Sequence, residues 1–287
     1  MKKISRSADL MRKTQGCNEI IRRSVPQQAG HGIEPSFQHE LSVIMDCFNR
    51  PSFFRLVRTA LETLLPGSCA LCHGDSQNAL CSTCRLQFFA NTPMRCEICA
   101  RRMPHPRAKI CGACLRRPPA FDATSVACDY AAPSDLLVQD LKFRARLPLA
   151  HSFGQMLANA ITQRPSDPPN VIIPVPLSET RLAQRGFNQA SEIARSLSRY
   201  TGIPLQARWC VRVRDTQPQA GLPLSERRVN MRGAFAVPLD VSVRGQHVLL
   251  VDDVMTTGHT LNELAACLKR HGARRVTNAV FARTPEK

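Results

Sequence analysis

The chain has 287 residues, enough for one medium domain and a smaller one, and its hydrophobic content of 43% is ordinary for a globular protein. No stretch approaches the ~18 consecutive apolar residues of a membrane span, and the basic start Met1-Lys2-Lys3 leads into no apolar signal segment, so a soluble, cytoplasmic protein is expected. The formal net charge of +17 favours polyanionic partners, nucleic acid or phosphorylated ligands, without choosing between them.

Residues 1–52 show no sustained periodicity, are rich in Ser, Gln, Arg and Gly, and carry Pro26 and Pro35. They read as a disordered extension, with Met45 as an alternative initiator. In residues 53–65, Phe54, Val57, Leu61, Leu64 and Leu65 recur at helical spacing, and Pro66-Gly67 ends that amphipathic helix. A cysteine-rich window follows and closes at Arg117-Pro118-Pro119, which makes 53–118 one unit and 119–287 the next.

From residue 119 onward strand and helix patterns alternate. Strands are expected at Thr124–Tyr130, Val171–Ile173 (stopped by Pro174), Arg208–Val213, Val248–Val251 and Val276–Phe281. Helices are expected at Asp135–Phe143, His151–Gln163, Gln189–Tyr200 and Thr260–Arg270. The residues after Pro174, including Arg181, Arg185 and Gly186, read as a polar loop. Strands separated by helices predict an α/β fold, a mostly parallel sheet covered on both faces.

Eight of the thirteen cysteines form four identical C-x-x-C pairs, Cys69/Cys72, Cys81/Cys84, Cys96/Cys99 and Cys111/Cys114. Two intervening residues let a tight turn aim both sulfurs at one ion, and tetrahedral zinc takes four thiolates, so two pairs complete one structural site. Joining first with second and third with fourth gives two small zinc ribbons in series, and the spacing leaves a cross-braced pairing open. Iron–sulfur spacing is absent, and a redox dithiol needs one pair, not four. Large apolar residues are few between Pro66 and Pro119, so zinc is expected to stabilise this window. Chelation is then expected to unfold residues 66–118 and spare the C-terminal domain. Arg101, Arg102, Arg107, Lys109, Arg116 and Arg117 surround the second ribbon, as a solvated basic face or as a nucleic-acid contact.

The stretch Val248-Leu-Leu-Val-Asp-Asp-Val-Met-Thr-Thr-Gly-His-Thr-Leu261 is the most informative. An apolar strand ends in two carboxylates, a Thr/Gly loop follows, and a helix starts. Backbone N–H groups converge at the helix start, its dipole favours an anion, and Gly258 lets the backbone approach closely. Asp252 and Asp253 stand where carboxylates can accept hydrogen bonds from sugar hydroxyls, at the carboxyl end of a strand.

This stretch resembles the binding motif of type I phosphoribosyltransferases for phosphoribosyl pyrophosphate (PRPP). The resemblance implies that Asp252 and Asp253 are the catalytic carboxylates on the ribose 2′- and 3′-hydroxyls. It also implies that Thr256, Thr257, Gly258, His259 and Thr260 wrap the 5′-phosphate, with Mg²⁺ accompanying PRPP. Two further pieces stand in one order with it: Pro174-Val-Pro with Arg185-Gly-Phe-Asn-Gln189, and Thr216-Gln-Pro-Gln219 with Arg227-Arg-Val-Asn230. With the preceding cysteine pairs and Lys142-Phe143-Arg144, the chain is identified as a member of the ComF/GntX family over roughly residues 60–285. That membership implies a phosphoribosyltransferase-like fold behind a double zinc ribbon, PRPP and single-stranded DNA as ligands, competence-machinery proteins as partners, and a part in DNA uptake for transformation. Arg181, Arg185, Arg212, Arg214, Arg227 and Arg228 are expected on pyrophosphate or a nucleic-acid backbone, where Arg binds bidentately, or else paired with Glu179, Asp215 and Glu226 on the surface.

Two other functions stay open beside that one: a phosphoribosyltransferase with an unknown acceptor, and a non-catalytic PRPP-sensing scaffold. Six residues follow Phe281, and no nucleobase-reading residue can be named. Trp209 and two tyrosines are few for a base-stacking platform, so DNA affinity is expected to be electrostatic and to fall steeply with salt.

Overall fold

The computed structural model describes residues 67–91, 93–105, 108–162, 167–214 and 233–285. The extension 1–52, the helix expected at 53–65, Arg107, the 216–219 segment, Arg227 and Arg228 lie outside the described residues.

The centre is a four-stranded sheet in the order β1-β6-β5-β2, every pair parallel. Its strands are β1 (Ala123–Asp129), β2 (Val171–Pro174), β5 (His247–Met255) and β6 (Arg275–Arg283). A parallel sheet is buried on both faces, so its central strands are nearly unbroken apolar runs. Val248 and Leu250 of β5 join one core, and Leu249 and Val251, turned to the other face by the two-residue repeat, join a second.

The first core is closed by α7 (His259–Arg270) through Leu261, Leu264, Ala265 and Leu268. The second is closed by α3 (Ser134–Phe143), α4 (Pro148–Thr162) and α6 (Gln189–Thr201). Asn188 caps α6 by accepting from the N–H groups of Ala190 and Ser191. Three of the strands expected from the sequence lie within these elements, with β5 and β6 running several residues further, and the fourth, Thr124–Tyr130, overruns β1 by one residue. Pro174 is the last residue of β2, where the sequence pointed to a stop. On this edge strand a missing N–H costs no ladder bond, and Val175 N–H resumes the pairing with Val251 O at 2.9 Å.

Two expectations are corrected. The polar loop after Pro174 contains α5 (Glu179–Arg185). Ser178 stands at its N-cap, Glu179 in its first turn and Arg185 in its last, and Gly186 closes it at φ 76° with its N–H on Leu182 O. The strand expected at Arg208–Val213 shrinks to β3 (Val211–Arg212), which pairs antiparallel with β4 (Phe235–Ala236) outside the main sheet. Trp209 N–H turns back to Gln206 O, so the preceding residues form a turn rather than extending.

The ribbons carry the short helices α1 (Ser82–Phe89) and α2 (Gly112–Arg116). Neither ribbon is a separate bead. Leu80, Cys84 and Phe89 belong to the core with Phe153 and Phe281, and Phe89 lies 6.5 Å from the Phe281 ring. Cys96, Cys99, Cys111 and Cys114 belong to the other core, with Phe121, Val280 and Leu261. Burying a side chain of the size of Phe89 contributes roughly 1.5–3 kcal/mol, so ribbon and domain stabilise each other. Among the described residues no helix is long and apolar enough to cross a membrane.

Candidate functional site

The cysteines form two clusters in chain order, Cys69/Cys72/Cys81/Cys84 and Cys96/Cys99/Cys111/Cys114, the sulfurs of each within 4.8 Å of one another. The serial pairing is therefore the one present. Cys72 and Cys81 sulfurs are 3.8 Å apart, Cys99 and Cys111 sulfurs 3.6 Å. A tetrahedron of Zn–S bonds near 2.3 Å has edges of about 3.8 Å, so the donor sets fit zinc. Among the described residues no cysteine forms a disulfide.

The backbone prepares these thiolates. Burial works against ionising Cys69, but N–H groups of Cys81, Cys72 and Leu71 outweigh it and bring its thiol down to about 6. In the second cluster burial likewise opposes ionisation of Cys96, and N–H groups of Cys99, Cys111 and Ile98 lower it to about 7. Burial, with the Cys96 charge also raising it, pushes Cys99 up to about 11. Four apposed thiols cannot all ionise unaided, and a dication resolves that conflict.

The second centre lies at the carboxyl end of β5. Asp252 Oδ1 accepts from Asp253 N–H and Asp253 Oδ1 from Val254 N–H, both at 2.9 Å. Asp253, 4% exposed, has its other oxygen 2.6 Å from Lys142 Nζ at the end of α3. Burial first, and then the Asp253 carboxylate, push the Asp252 carboxyl well above its usual range, with Lys142 opposing. Burial lowers Arg185, the Asp253 charge raises it, and Arg181 lowers it, so α5 brings Arg185 within electrostatic reach of Asp253, with Arg181 beside Arg185. Arg185 also donates to Gln189 Oε1 at 2.8 Å and lies 5.6 Å over the Phe143 ring.

Beyond Met255 the chain turns through Thr256 and Thr257 to Gly258, the N-cap of α7 at φ 79°. The left-handed conformation favours glycine, and a Cβ there would come within 2.5 Å of Met255 Cε, so the end of that flexible side chain would have to move. No side chain caps α7 at Gly258, and a helix start of this kind favours an anion. Thr257 Oγ1 is buried without a hydrogen-bond partner among the described residues. An orphaned hydroxyl, a glycine cradle and an uncapped helix start suit an anionic oxygen ligand. The Asp252/Asp253 pair supplies hard oxygen donors of the kind Mg²⁺ takes alongside a phosphorylated substrate.

The structure thus gathers Asp252, Asp253, Thr256–Thr260 and Arg185, with Arg181 near. Arg212 and Arg214 stand in and beside the β3–β4 hairpin, with Arg212 5.8 Å over the Phe235 ring. That hairpin rests on α7 through Cys267 Sγ, which donates to Phe235 O. Lys142 is the member of the site that sequence reasoning passed over. Its signal was its place in Lys142-Phe143-Arg144, but nothing in that segment names Asp253 as its partner. Arg102 of the basic set around the second ribbon is paired with Asp129.

A model described as the phosphoribosyl transferase domain matches residues 182–287, and one described as the double zinc ribbon domain matches residues 60–115. The chain is 33% identical over 227 residues to DNA utilization protein YhgH of Salmonella typhimurium, covering 77% of this chain and 98% of that protein. It is 33% identical over 216 residues to Competence protein F of Haemophilus influenzae, covering 72% of this chain and 93% of that protein. Glutamine PRPP amidotransferase from B. subtilis, solved with ADP and GMP, is similar at 21% identity over 46% of this chain and 25% of that one, with a TM-score of 0.31. On the extent of the first two matches and the order of its two domains, the chain belongs to the ComF/GntX family, a phosphoribosyltransferase-type domain behind a double zinc ribbon.

Proposed function

We propose that the chain binds PRPP with Mg²⁺ at the loop Asp252–Thr260 and serves, as a ComF-like protein, in the uptake and use of DNA. The observation that carries the PRPP reading is the buried, partnerless Thr257 hydroxyl beside the αL Gly258 and the uncapped start of α7. The 5′-phosphate lies in that cradle, and Asp252 and Asp253 accept from the ribose hydroxyls. Bound Mg²⁺ supplies neutralisation of pyrophosphate charge. Lys142 holds Asp253 in place, and Arg185, with Arg181, faces the pyrophosphate side. The DNA role is supported by the relatives' names, and the net charge of +17 favours single-stranded DNA held mainly through its phosphates. Proteins of the competence machinery are its expected partners, and the cytoplasm its expected compartment.

Calorimetry with Mg²⁺ and PRPP, on wild type and on Asp252→Ala/Asp253→Ala, tests the site. Binding that the double substitution abolishes supports it, and no binding by fully metallated wild type refutes it. Pyrophosphate release in the same samples separates a transferase from a PRPP-sensing scaffold.

A further inference from the structure

One side chain touches both the second cysteine cluster and the phosphate loop. Arg283, the last residue of β6, is 4% exposed. Its Nε donates to Cys99 O at 3.1 Å. Its Nη1 donates to Met255 O at 3.2 Å, to Thr284 O at 2.9 Å and to Thr256 O. A single guanidinium therefore joins a metal-binding knuckle to the carbonyls that open the phosphate loop. A buried guanidinium is costly to leave short of acceptors, so it holds those carbonyls where they are.

Peptide planarity gives this bond its consequence. In a trans peptide the carbonyl of one residue and the N–H of the next point in opposite directions. Drawing the Met255 and Thr256 carbonyls onto Arg283 turns the N–H groups of Thr256 and Thr257 away from it. On the phosphate reading above, those N–H groups are donors to the anion. Without Arg283 the Met255 carbonyl would keep its bond from Thr284 N–H at 3.0 Å, but the Thr256–Thr257 plane could rotate and present the Thr256 carbonyl to the anion, which repels it.

Neighbouring contacts fix the knuckle to the same end of the sheet. Asp129, the register partner of Arg283 in β1, accepts from Arg95 at 2.8 Å and from Arg102. Arg95 and Arg102 face each other across the hairpin that contains Cys96 and Cys99. Ala120 N–H donates to Asn262 Oδ1 in α7 at 2.8 Å, and the Phe121 ring lies 3.8 Å from where a Cβ on Gly258 would stand. The first cluster packs elsewhere, through Leu80 and Phe89 on the other core and through Arg85 on Gln155.

We infer that Arg283 is a positioning residue for the phosphate loop, and that metal in the Cys96/Cys99/Cys111/Cys114 site sets the loop's affinity for sugar phosphate through it. The affinity half of this inference rests on the PRPP reading above; the mechanical coupling does not.

The test uses the full chain with Cys114→Ser, Cys72→Ser, Arg283→Gln and Arg283→Lys. Zinc per chain, Mg²⁺–PRPP affinity by calorimetry, and hydrogen exchange of amides 256–260 without ligand are measured on each. Cys114→Ser and Cys72→Ser are each expected to lose one zinc, and Cys114→Ser to weaken PRPP binding about tenfold more, a difference of roughly 1.4 kcal/mol. Arg283→Gln keeps both metals, weakens PRPP binding about tenfold and speeds exchange at 256–260; Arg283→Lys recovers part of both. Equal effects of the two cysteine variants would mean general destabilisation and overturn the inference. So would an Arg283→Gln protein with wild-type affinity and wild-type exchange. If wild type binds no PRPP, the sugar-phosphate reading fails by itself. Exchange at 256–260 then decides the coupling, with acceleration by Cys114→Ser and Arg283→Gln upholding it and wild-type rates refuting it.

Discussion

Replacing Gly258 with alanine tests the phosphate loop at its tightest point. The residue sits at φ 79°, where an L side chain costs about 1–2 kcal/mol. The added Cβ would stand 2.5 Å from Met255 Cε, and Met255 is only 2% exposed, so the methyl end must be pushed into packed surroundings. Overpacking of that kind costs about 1–3 kcal/mol, with the lower end apt here because a thioether tail can swing aside. Together the loss is about 2–4 kcal/mol, short of the roughly 5–15 kcal/mol that keeps a domain folded. Gly258→Ala should therefore be folded, with a lower midpoint in urea and PRPP binding weakened beyond what the stability loss alone implies. The two costs separate in a double-mutant cycle, because Met255→Ala relieves the contact and leaves the φ strain, giving a coupling of about 1 kcal/mol. A Gly258→Ala protein with the wild-type urea midpoint and the wild-type PRPP affinity would refute both the αL cradle and the contact.

Two other outcomes are expected. His247 is buried between Asp167 and Thr277; burial lowers its pKa from 6.5, Asp167 opposes, and Arg275 and Arg274 add to the lowering. A depressed histidine binds protons more readily in the unfolded chain, so its stabilisation is present above about pH 6.5 and is lost as the pH falls below it; urea midpoints from pH 8 to 5 should decline, and His247→Gln should flatten the decline. An unchanged slope in the variant would remove His247 as the cause. Zinc chelation should loosen more than residues 66–118, because Phe89 and the second cysteine cluster are built into the two domain cores. Exchange should then rise in β6 as well, and β6 protection untouched by metal loss would show that the ribbons fold apart from the domain.

The strand–loop–helix geometry around Asp252–Thr260 was legible in the sequence because everything it needs is local: apolar strand, paired acids, glycine and helix start lie within fourteen residues. The metal sites were legible for the same reason, one knuckle at a time, whereas the choice of which knuckles pair depended on how the ribbons fold. Helix α5 escaped because it buries none of its residues, so no apolar period marks it, and its end signals were outvoted by its polar composition. Lys142 and Arg283 were illegible for a different reason. Each acts on a partner more than a hundred residues away, and neither carries any mark in its own neighbourhood of what it will touch.

The same long-range pairing changes what the net charge means. From the sequence, +17 suggests a broad field for polyanions. In the folded chain Asp129 takes Arg95 and Arg102, Asp167 takes Arg274 and Arg275, Asp122 takes Lys269, and Asp253 takes Lys142. These pairs are not equivalent as competitors for phosphate. The Arg274–Asp167 pair is solvent-exposed at its basic end, contributes little on its own, and can give its cation to a nucleic-acid backbone at small cost. Arg95 and Lys142, with side chains 11% and 21% exposed, are shielded, and stripping either from its carboxylate would strand a buried charge. A polyanion would therefore be drawn to the exposed cations, while the shielded ones keep holding the ribbon and the Asp253 carboxylate. Under the proposed function, DNA binding should then fall steeply with salt and PRPP binding beside the buried Thr257 hydroxyl should fall far less, and equal salt slopes for the two would refute that division.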